Sequence, residues 1–495
     1  MAADSFLGRR KHAFFDMAPI RQLHPYGKNL LAKRVRLNVG STITIPLAVV
    51  VAFPVLIVVV ILLMFVSHSD SPSGVITNIV NREPGILKIN ETYDRPFVTG
   101  CLEPATEGPR ASAAFVVLAR NKELDGVVQS MKSIERHFNH WFNYPYVFLN
   151  DGEFNETFKA TVTKYASGKV EFGQIDKSMW GFPDWANHED AKEAIAKQGD
   201  RVIMYGGMES YHHMCRFYSG FFYKHPLLDK YKWYWRLEPD IKYFCDITYD
   251  PFMHMERNNK TYGFTIAVKE LKETVPNLFR YAAAYRRIKK IKETGLWKMF
   301  SERPEPPKVE ENTDLPEDIL KTQPSHRLPD IDGETMEGEK YNMCHFWSNF
   351  EIARLDFFRS KEYEEFFEMM DKSGGFWSER WGDAPIHSLA AGVLLDTKDV
   401  HYFRDFGYRH TTIQHCPANA PGKQLKRVPF YHPEDEKRNK KIAKQDDSYW
   451  ANYDAPKHNG VGCHCKCDTD IEEVEGKPGS CLPEWVNVAG GWLPE

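Results

Sequence analysis

The residues best suited to chemistry in this chain end an aromatic segment, Tyr231-Lys-Trp-Tyr-Trp-Arg-Leu-Glu-Pro-Asp240. Tyr231, Trp233, Trp235 and Leu237 alternate with Lys232, Tyr234, Arg236 and Glu238, which is the period of a β-strand. Pro239 has no N–H to donate and stops the ladder. Two carboxylates, Glu238 and Asp240, are then left on an irregular tip at the strand's C-terminal end, where open α/β sheets bind ligands. Oxygen ligands of this kind hold a divalent cation, and the cation in turn holds a diphosphate. Pro and Asp are also favoured turn formers, so an ordinary hairpin turn is the competing reading.

Such a tip needs a sheet behind it. Residues 113–119 (Ala-Ala-Phe-Val-Val-Leu-Ala) read as a buried strand, and residues 123–138 follow with a helical pattern. Residues 144–150 read as a second strand, closed by Asp151-Gly152. This β-α-β order predicts a nucleotide-binding parallel sheet. Residues 208–231 read as a helix broken at Pro226, residues 262–267 as a further strand, and residues 276–291 as a basic amphipathic helix. Residues 301–334 carry six prolines, many acids and no apolar period, and read as a surface insertion.

The wider context is specific. Tyr211-His-His-Met-Cys-Arg-Phe-Tyr-Ser-Gly-Phe-Phe-Tyr-Lys-His-Pro226 precedes the acidic strand, and Cys245-Asp-Ile-Thr-Tyr-Asp-Pro-Phe252 follows it. Further on stand His345-Phe-Trp-Ser-Asn-Phe-Glu-Ile352, Glu379-Arg-Trp-Gly-Asp-Ala-Pro-Ile-His387 and Gly407-Tyr-Arg-His410. Over roughly residues 105–485 the chain resembles the fungal Golgi α-1,2-mannosyltransferases of glycosyltransferase family 15. The resemblance implies retaining transfer of mannose from GDP-mannose to a mannose-terminated N- or O-linked glycan, on an α/β sheet of the GT-A type. It also implies that Glu238 and His410 hold the metal and that Tyr211 belongs to the active site. Asp240 would ligate the metal directly, through water, or not at all. Glu351 would be the nucleophile or cation stabiliser on the face of the sugar opposite the leaving group. Imidazole, carboxylate and phosphate oxygens together suit manganese. Residues 301–334 are longer than the family's pattern.

Three further assignments come from residue type and position. Glu270 and Asp383 are carboxylates suited to vicinal hydroxyls of an acceptor sugar. Arg120, just past the first strand, is positioned for guanine or phosphate contacts. The competing readings of the whole are a metal-dependent lectin that keeps the fold without turnover, and a glycoside hydrolase, which would need neither nucleotide nor metal.

Charge and hydropathy set the compartment. With 64 basic and 68 acidic residues the formal charge is −4, so there is no global basic bias to argue for a nucleic-acid partner. Residues 43–66 lack any charged side chain and are long enough for a bilayer. Residues 1–42 hold eight Lys or Arg against two acids. The positive-inside rule thus predicts a cytoplasmic tail (1–42), a single signal anchor (43–66), a lumenal stem (67–100) and a lumenal catalytic domain (101–495), in a type II Golgi membrane protein. All nine cysteines follow the span, in an oxidising lumen. Cys463, Cys465 and Cys467 are spaced too closely for a good zinc chelate, which favours disulfides to Cys481, Cys416 or earlier cysteines. Nine is odd, so at least one thiol stays unpaired within the chain.

Overall fold

Every residue from Ala113 to Leu118 is apolar, as a strand covered on both faces requires. A computed structural model describes residues 34–39, 41–46, 101–303, 335–336, 338–422, 424–458 and 460–490. The strands that build the site are, in order, β1 (Ala113–Leu118), β2 (Tyr146–Asn150), β3 (Val170–Gln174), β4 (Trp233–Arg236), β5 (Ile241–Tyr243) and β6 (Tyr262–Phe264). They continue as β7 (Ala267–Lys269), β8 (Cys344–Phe346), β9 (Ile352–Arg354), β10 (Val400–Tyr402), β11 (Tyr408–His410) and β12 (Ile413–His415). A seven-stranded sheet runs β10-β6-β9-β4-β1-β2-β3, and β9 alone opposes the other six. The acidic strand β4 stands at its centre.

Alternation along these strands sends side chains to two cores. Ala114, Val116, Leu149 and Tyr234 pack with Phe217 and Tyr218 of α2 (Glu209–Gly220) and Leu389 of α3 (Asp383–Leu394). Phe115, Val117, Trp233 and Trp235 pack on the other side with Val127 and Met131 of α1 (Leu124–Ile134). Trp235 is wholly buried, with its ring centroid 5.2 Å from those of Phe115 and Phe138. Truncating such a side chain costs about 3–5 kcal/mol.

Three expectations shift in detail. Residues 262–267 do not form one strand: β6 stays in the central sheet, while β7 leaves it to pair antiparallel with β8. The helix expected over 208–231 ends at Gly220, followed by single turns at Phe222–Lys224 and Pro226–Leu228. Gly220 is tight against the Phe367 ring, 2.0 Å from where a Cβ would stand. The basic helix occupies Leu278–Ile288.

Residues 1–85 and 86–495 form separate units. In the first, Arg34–Val39 pairs antiparallel with Ser41–Pro46, Leu37 opposite Ile43. The opening residues of the expected span, Ile43 to Pro46, are therefore extended, in keeping with the alternating β-branched run Thr42-Ile-Thr-Ile45. The rest of that span, the cytoplasmic tail up to residue 33, the stem, and residues 304–334 of the insertion lie outside the described residues. Among the described residues no helix is long and apolar enough to cross a membrane.

Four disulfides pin the second unit: Cys101–Cys463, Cys245–Cys465, Cys344–Cys481 and Cys416–Cys467. Three of them start from the Cys-His-Cys-Lys-Cys run, as its spacing suggests. Cys215, buried in α2, is the unpaired thiol.

Candidate functional site

The sheet positions the site through strand ends. A cavity of about 310 Å³ opens where β1, β2 and β4 finish, lined by Ala119 and Arg120 after β1 and by Asn150 and Asp151 at the end of β2. Glu238, Pro239 and Asp240 follow β4 on another wall, Tyr211, Met214 and Tyr218 project from α2, and Trp180 completes the rim. His410 reaches the same cavity from far along the chain. β5 begins directly after Asp240 and pairs antiparallel with β11, so that His410 lies opposite Ile241.

Local geometry fixes the acidic tip. Asp240 has φ +60°, a left-handed conformation that Asp tolerates better than most residues, and its N–H donates to the Gly126 carbonyl at 3.2 Å. A Cβ on Gly126 would stand 2.7 Å from both Asp240 carboxylate oxygens, so glycine lets that carboxylate rest on the first turn of α1. A helix N-terminus favours an anion there.

Glu238 is held differently. Its Oε1 accepts from Arg236 Nε at 2.6 Å. The same guanidinium donates from Nη1 to Asp383 Oδ2 at 2.5 Å and lies 3.5 Å from the Tyr218 ring centroid. Ser348 Oγ donates to Asp383 Oδ2 at 2.6 Å. Burial alone would raise the Asp383 carboxyl, but the Arg236 guanidinium, His387 and the Ser348 hydroxyl together outweigh it and hold it below the usual range. Arg236 is thus a buried clamp between Asp383 and Glu238.

His410 is kept neutral by burial, against the opposing pull of the Glu238 and Asp240 carboxylates. The Asn349 amide lies 3.4 Å from its Nδ1, and Asn349 Oδ1 accepts from the Tyr408 hydroxyl at 3.1 Å. Glu238, Asp240 and His410 line one cavity without closing into a tight cage.

Tyr211 presents its ring to the cavity, stacked on Tyr205 with centroids 4.7 Å apart. Arg380 lies 5.6 Å from the same ring, and its Nη2 donates to Glu270 Oε1 at 3.3 Å. Burial pushes the Tyr211 hydroxyl well above its ordinary value, so it remains protonated. Arg120 lines the cavity while Glu123 pairs with its guanidinium at 2.5 Å.

Of the eight residues singled out from the sequence, Arg120, Tyr211, Glu238, Asp240 and His410 share this cavity, and Glu270, Glu351 and Asp383 are not among its lining. Asp383 is buried and committed to Arg236 and Ser348, because it opens α3 beneath the acidic strand. Glu351 is wholly buried: its Oε2 accepts from the Tyr262 hydroxyl at 2.5 Å and meets His387 Nδ1 at 2.9 Å, while Oε1 has no partner. His387 Nε2 in turn donates to the Tyr218 carbonyl at 3.0 Å. Burial raises the Glu351 carboxyl, and the adjacent carboxylate raises His387 against its own burial; with Nε2 donating to a carbonyl, the close approach of Nδ1 to Oε2 places a shared proton between them. Glu351 is therefore linked to the cavity lining through His387 and the Tyr218 backbone carbonyl.

Sequence reasoning missed Arg236, Asn349, Trp180 and His387. Arg236 carried a signal, since it sits on the strand face opposite the tryptophans, two residues before Glu238. His387 and Asn349 stood inside quoted motifs but had no pattern to set them apart.

A mostly parallel sheet with an acidic tip and a histidine at its carboxyl edge defines an α/β protein that binds its ligand at the strand ends. Residues 86–426 match the family described as glycolipid 2-alpha-mannosyltransferase, and the chain belongs to that family. It is 44% identical to the O-glycoside alpha-1,2-mannosyltransferase homolog 4 of Schizosaccharomyces pombe, over 99% of this chain and 100% of that protein. Among solved structures it is similar to core-mannan synthase A from Aspergillus fumigatus in its Mn/GDP form, with 33% identity and a TM-score of 0.57 over 80% of this chain and 88% of the other. It is also similar to the mannosyltransferase Ktr4p from S. cerevisiae in complex with GDP, at 29% identity and a TM-score of 0.57, covering 85% of this chain and 98% of that one.

Proposed function

We propose that this chain is a retaining α-1,2-mannosyltransferase that moves mannose from GDP-mannose to the 2-hydroxyl of a terminal mannoside on an N- or O-linked glycan. The observation that carries the reading is the convergence of Glu238, Asp240 and His410 with Tyr211 and Arg120 in one cavity at the ends of parallel strands. Family membership and the Mn/GDP form of the A. fumigatus relative support it.

The donor set fits manganese: Glu238 and His410 offer carboxylate oxygen and imidazole nitrogen, and their open arrangement leaves room for phosphate oxygens. A bound divalent ion would neutralise the charge that develops on the leaving diphosphate. Arg236 orients Glu238 for that task, and Asp240 adds negative charge from the α1 end. Arg120 faces the nucleotide. The Tyr211 hydroxyl, still protonated and on the cavity wall, is the group placed to hold the reacting oxygens by hydrogen bonding. Glu270, tied to Tyr211 through Arg380, marks the acceptor side. Asp383 and Glu351 act by position: Asp383 anchors Arg236, and Glu351 with His387 supports the cavity lining at Tyr218. A nucleophile would have to reach the sugar, and the full burial of Glu351 away from the cavity lining supports this positioning role instead.

The sheet is of the GT-A type in this reading. Residues 1–42, 43–66 and 67–100 are cytoplasmic tail, signal anchor and stem of a type II Golgi membrane protein, and residues 101–495 are its lumenal catalytic domain.

The test is ligand-dependent melting. Manganese with GDP should raise the parent's melting temperature by several degrees, and Glu238→Gln or His410→Ala should abolish that rise while melting near the parent without ligand. Parent-like stabilisation of both variants would sink the assignment.

A further inference from the structure

His415 closes β12, five residues beyond His410, and takes no part in the cavity. Its Nε2 lies 2.9 Å from the Arg404 carbonyl, which can only accept, so Nε2 carries the proton. Nδ1 is left facing two carboxylates, Glu473 Oε1 and Glu475 Oε1, each 3.3 Å away. The three ligand atoms all lie within 4.8 Å of one another. A neutral ring in this tautomer would turn a lone pair onto two carboxyl groups, so a proton or a metal cation belongs between them.

Distance discriminates a proton from a metal. A single N–H prefers one near-linear bond at about 2.9 Å; shared between two oxygens it would make two long bonds, and both distances here are 3.3 Å. In a tetrahedral zinc site with bonds of about 2.0–2.1 Å, the nitrogen-to-oxygen edge is about 3.4 Å. Donation of the other ring N–H to a backbone carbonyl is the usual support for a ligating histidine. Access is open on one side only: the side chains of His415 and Glu475 are 3% and 15% exposed, that of Glu473 35%. Glu475 has no charged partner other than His415 among the described residues. Among the described residues, the two other convergences of ligand-type groups involve cysteines already joined as Cys101–Cys463 and Cys344–Cys481.

We propose that His415, Glu473 and Glu475 bind a zinc-class divalent cation, with water as the fourth ligand, separate from the donor site. The ion fastens the C-terminal segment to the hairpin that carries His410. That segment runs beside β12, with Val474 N–H donating to the Gln414 carbonyl at 2.8 Å and Cys416 N–H donating to Glu473 Oε2 at 2.6 Å. The Cys416–Cys467 disulfide joins the same two segments.

The test uses full-length protein, purified in detergent, stripped with chelator and titrated with zinc chloride in the absence of nucleotide. His410→Ala serves as background, so that zinc at the donor site is not counted. One zinc per chain is expected in that background, with affinity at least about tenfold lower once Glu475→Gln or Glu473→Gln is added. Cobalt loaded in place of zinc should show the visible bands of a tetrahedral centre, lost in Glu475→Gln. Both Gln substitutions keep side-chain size, and melting in zinc-free buffer checks their fold. Equal zinc affinity with and without Glu475→Gln, or no zinc retained by the His410→Ala protein at micromolar concentration, overturns the proposal and leaves a protonated His415 as the clamp.

Discussion

Arg236→Lys isolates the clamp that orients Glu238. The arginine reaches Glu238 from Nε at 2.6 Å and Asp383 from Nη1 at 2.5 Å, with its plane over Tyr218. A lysine ammonium is a point charge and cannot serve both carboxylates in that geometry. Asp383 is the more deeply buried, with 8% of its side chain exposed against 20% for Glu238, so the ammonium settles there. Glu238 then loses a charge-assisted hydrogen bond, worth about 1.5–3 kcal/mol. Half of that expressed in metal-dependent nucleotide binding is a GDP affinity about four- to twelvefold weaker. The fold keeps its buried charge balance and should melt only a few degrees lower. Full removal in Arg236→Met would instead leave Asp383 uncompensated, at a cost of about 3–5 kcal/mol. Calorimetric titration of GDP in manganese, with melting curves alongside, reads both effects. Arg236→Lys binding GDP within about twofold of the parent would refute the clamp.

Tyr211→Phe removes one hydroxyl and keeps the ring stacked on Tyr205, so kcat should fall about a hundredfold or more, near 2.7 kcal/mol, with little change in melting or GDP affinity. Glu351→Gln should keep kcat within about tenfold of the parent and register in the melting temperature, because that carboxylate is buried away from the cavity lining; steady-state kinetics that reverse this order would return Glu351 to the chemistry. Asp246 accepts from His137 and His464 Nδ1, both at 2.8 Å, and although burial alone would raise its carboxyl, these bonds hold it down to about 2. A depressed carboxyl gives stability that is present above its unfolded value near 3.9 and lost as pH falls through about 2. Asp246→Asn should therefore lower stability at neutral pH by about 2–3 kcal/mol and flatten the acid limb between about pH 4 and 2, as read by denaturant titration across pH; an unchanged acid limb would count against the charge on Asp246.

The central strand and its tip were readable because alternation and a proline stop are local signals: Trp233 to Arg236 forms β4, and Glu238 and Asp240 follow it to the cavity. His410 was legible only by resemblance, since what brings it to the tip is the β5–β11 pairing across the chain, with no local signature. The burial of Glu351 and Asp383 was illegible for the same reason. Both stand in aromatic motifs, and sequence cannot tell a carboxylate beside the sugar from one buried away from it. That distinction depends on Arg236 binding Asp383 from the strand and on His387 tying Glu351 to the Tyr218 carbonyl of another helix. Clamping by Arg236 escaped notice because an alternating strand residue reads equally well as a solvated cation. The split of residues 262–267 between two sheets likewise turns on the pairing of β7 with β8.

Transfer itself gives the most direct test. The protein is incubated with GDP-mannose, manganese and methyl α-mannoside, and the product is examined by NMR. The account predicts a disaccharide joined α-1,2, formed only with manganese present and with the anomeric configuration of the donor retained. Release of free mannose with no disaccharide, or a disaccharide of another linkage, would contradict it.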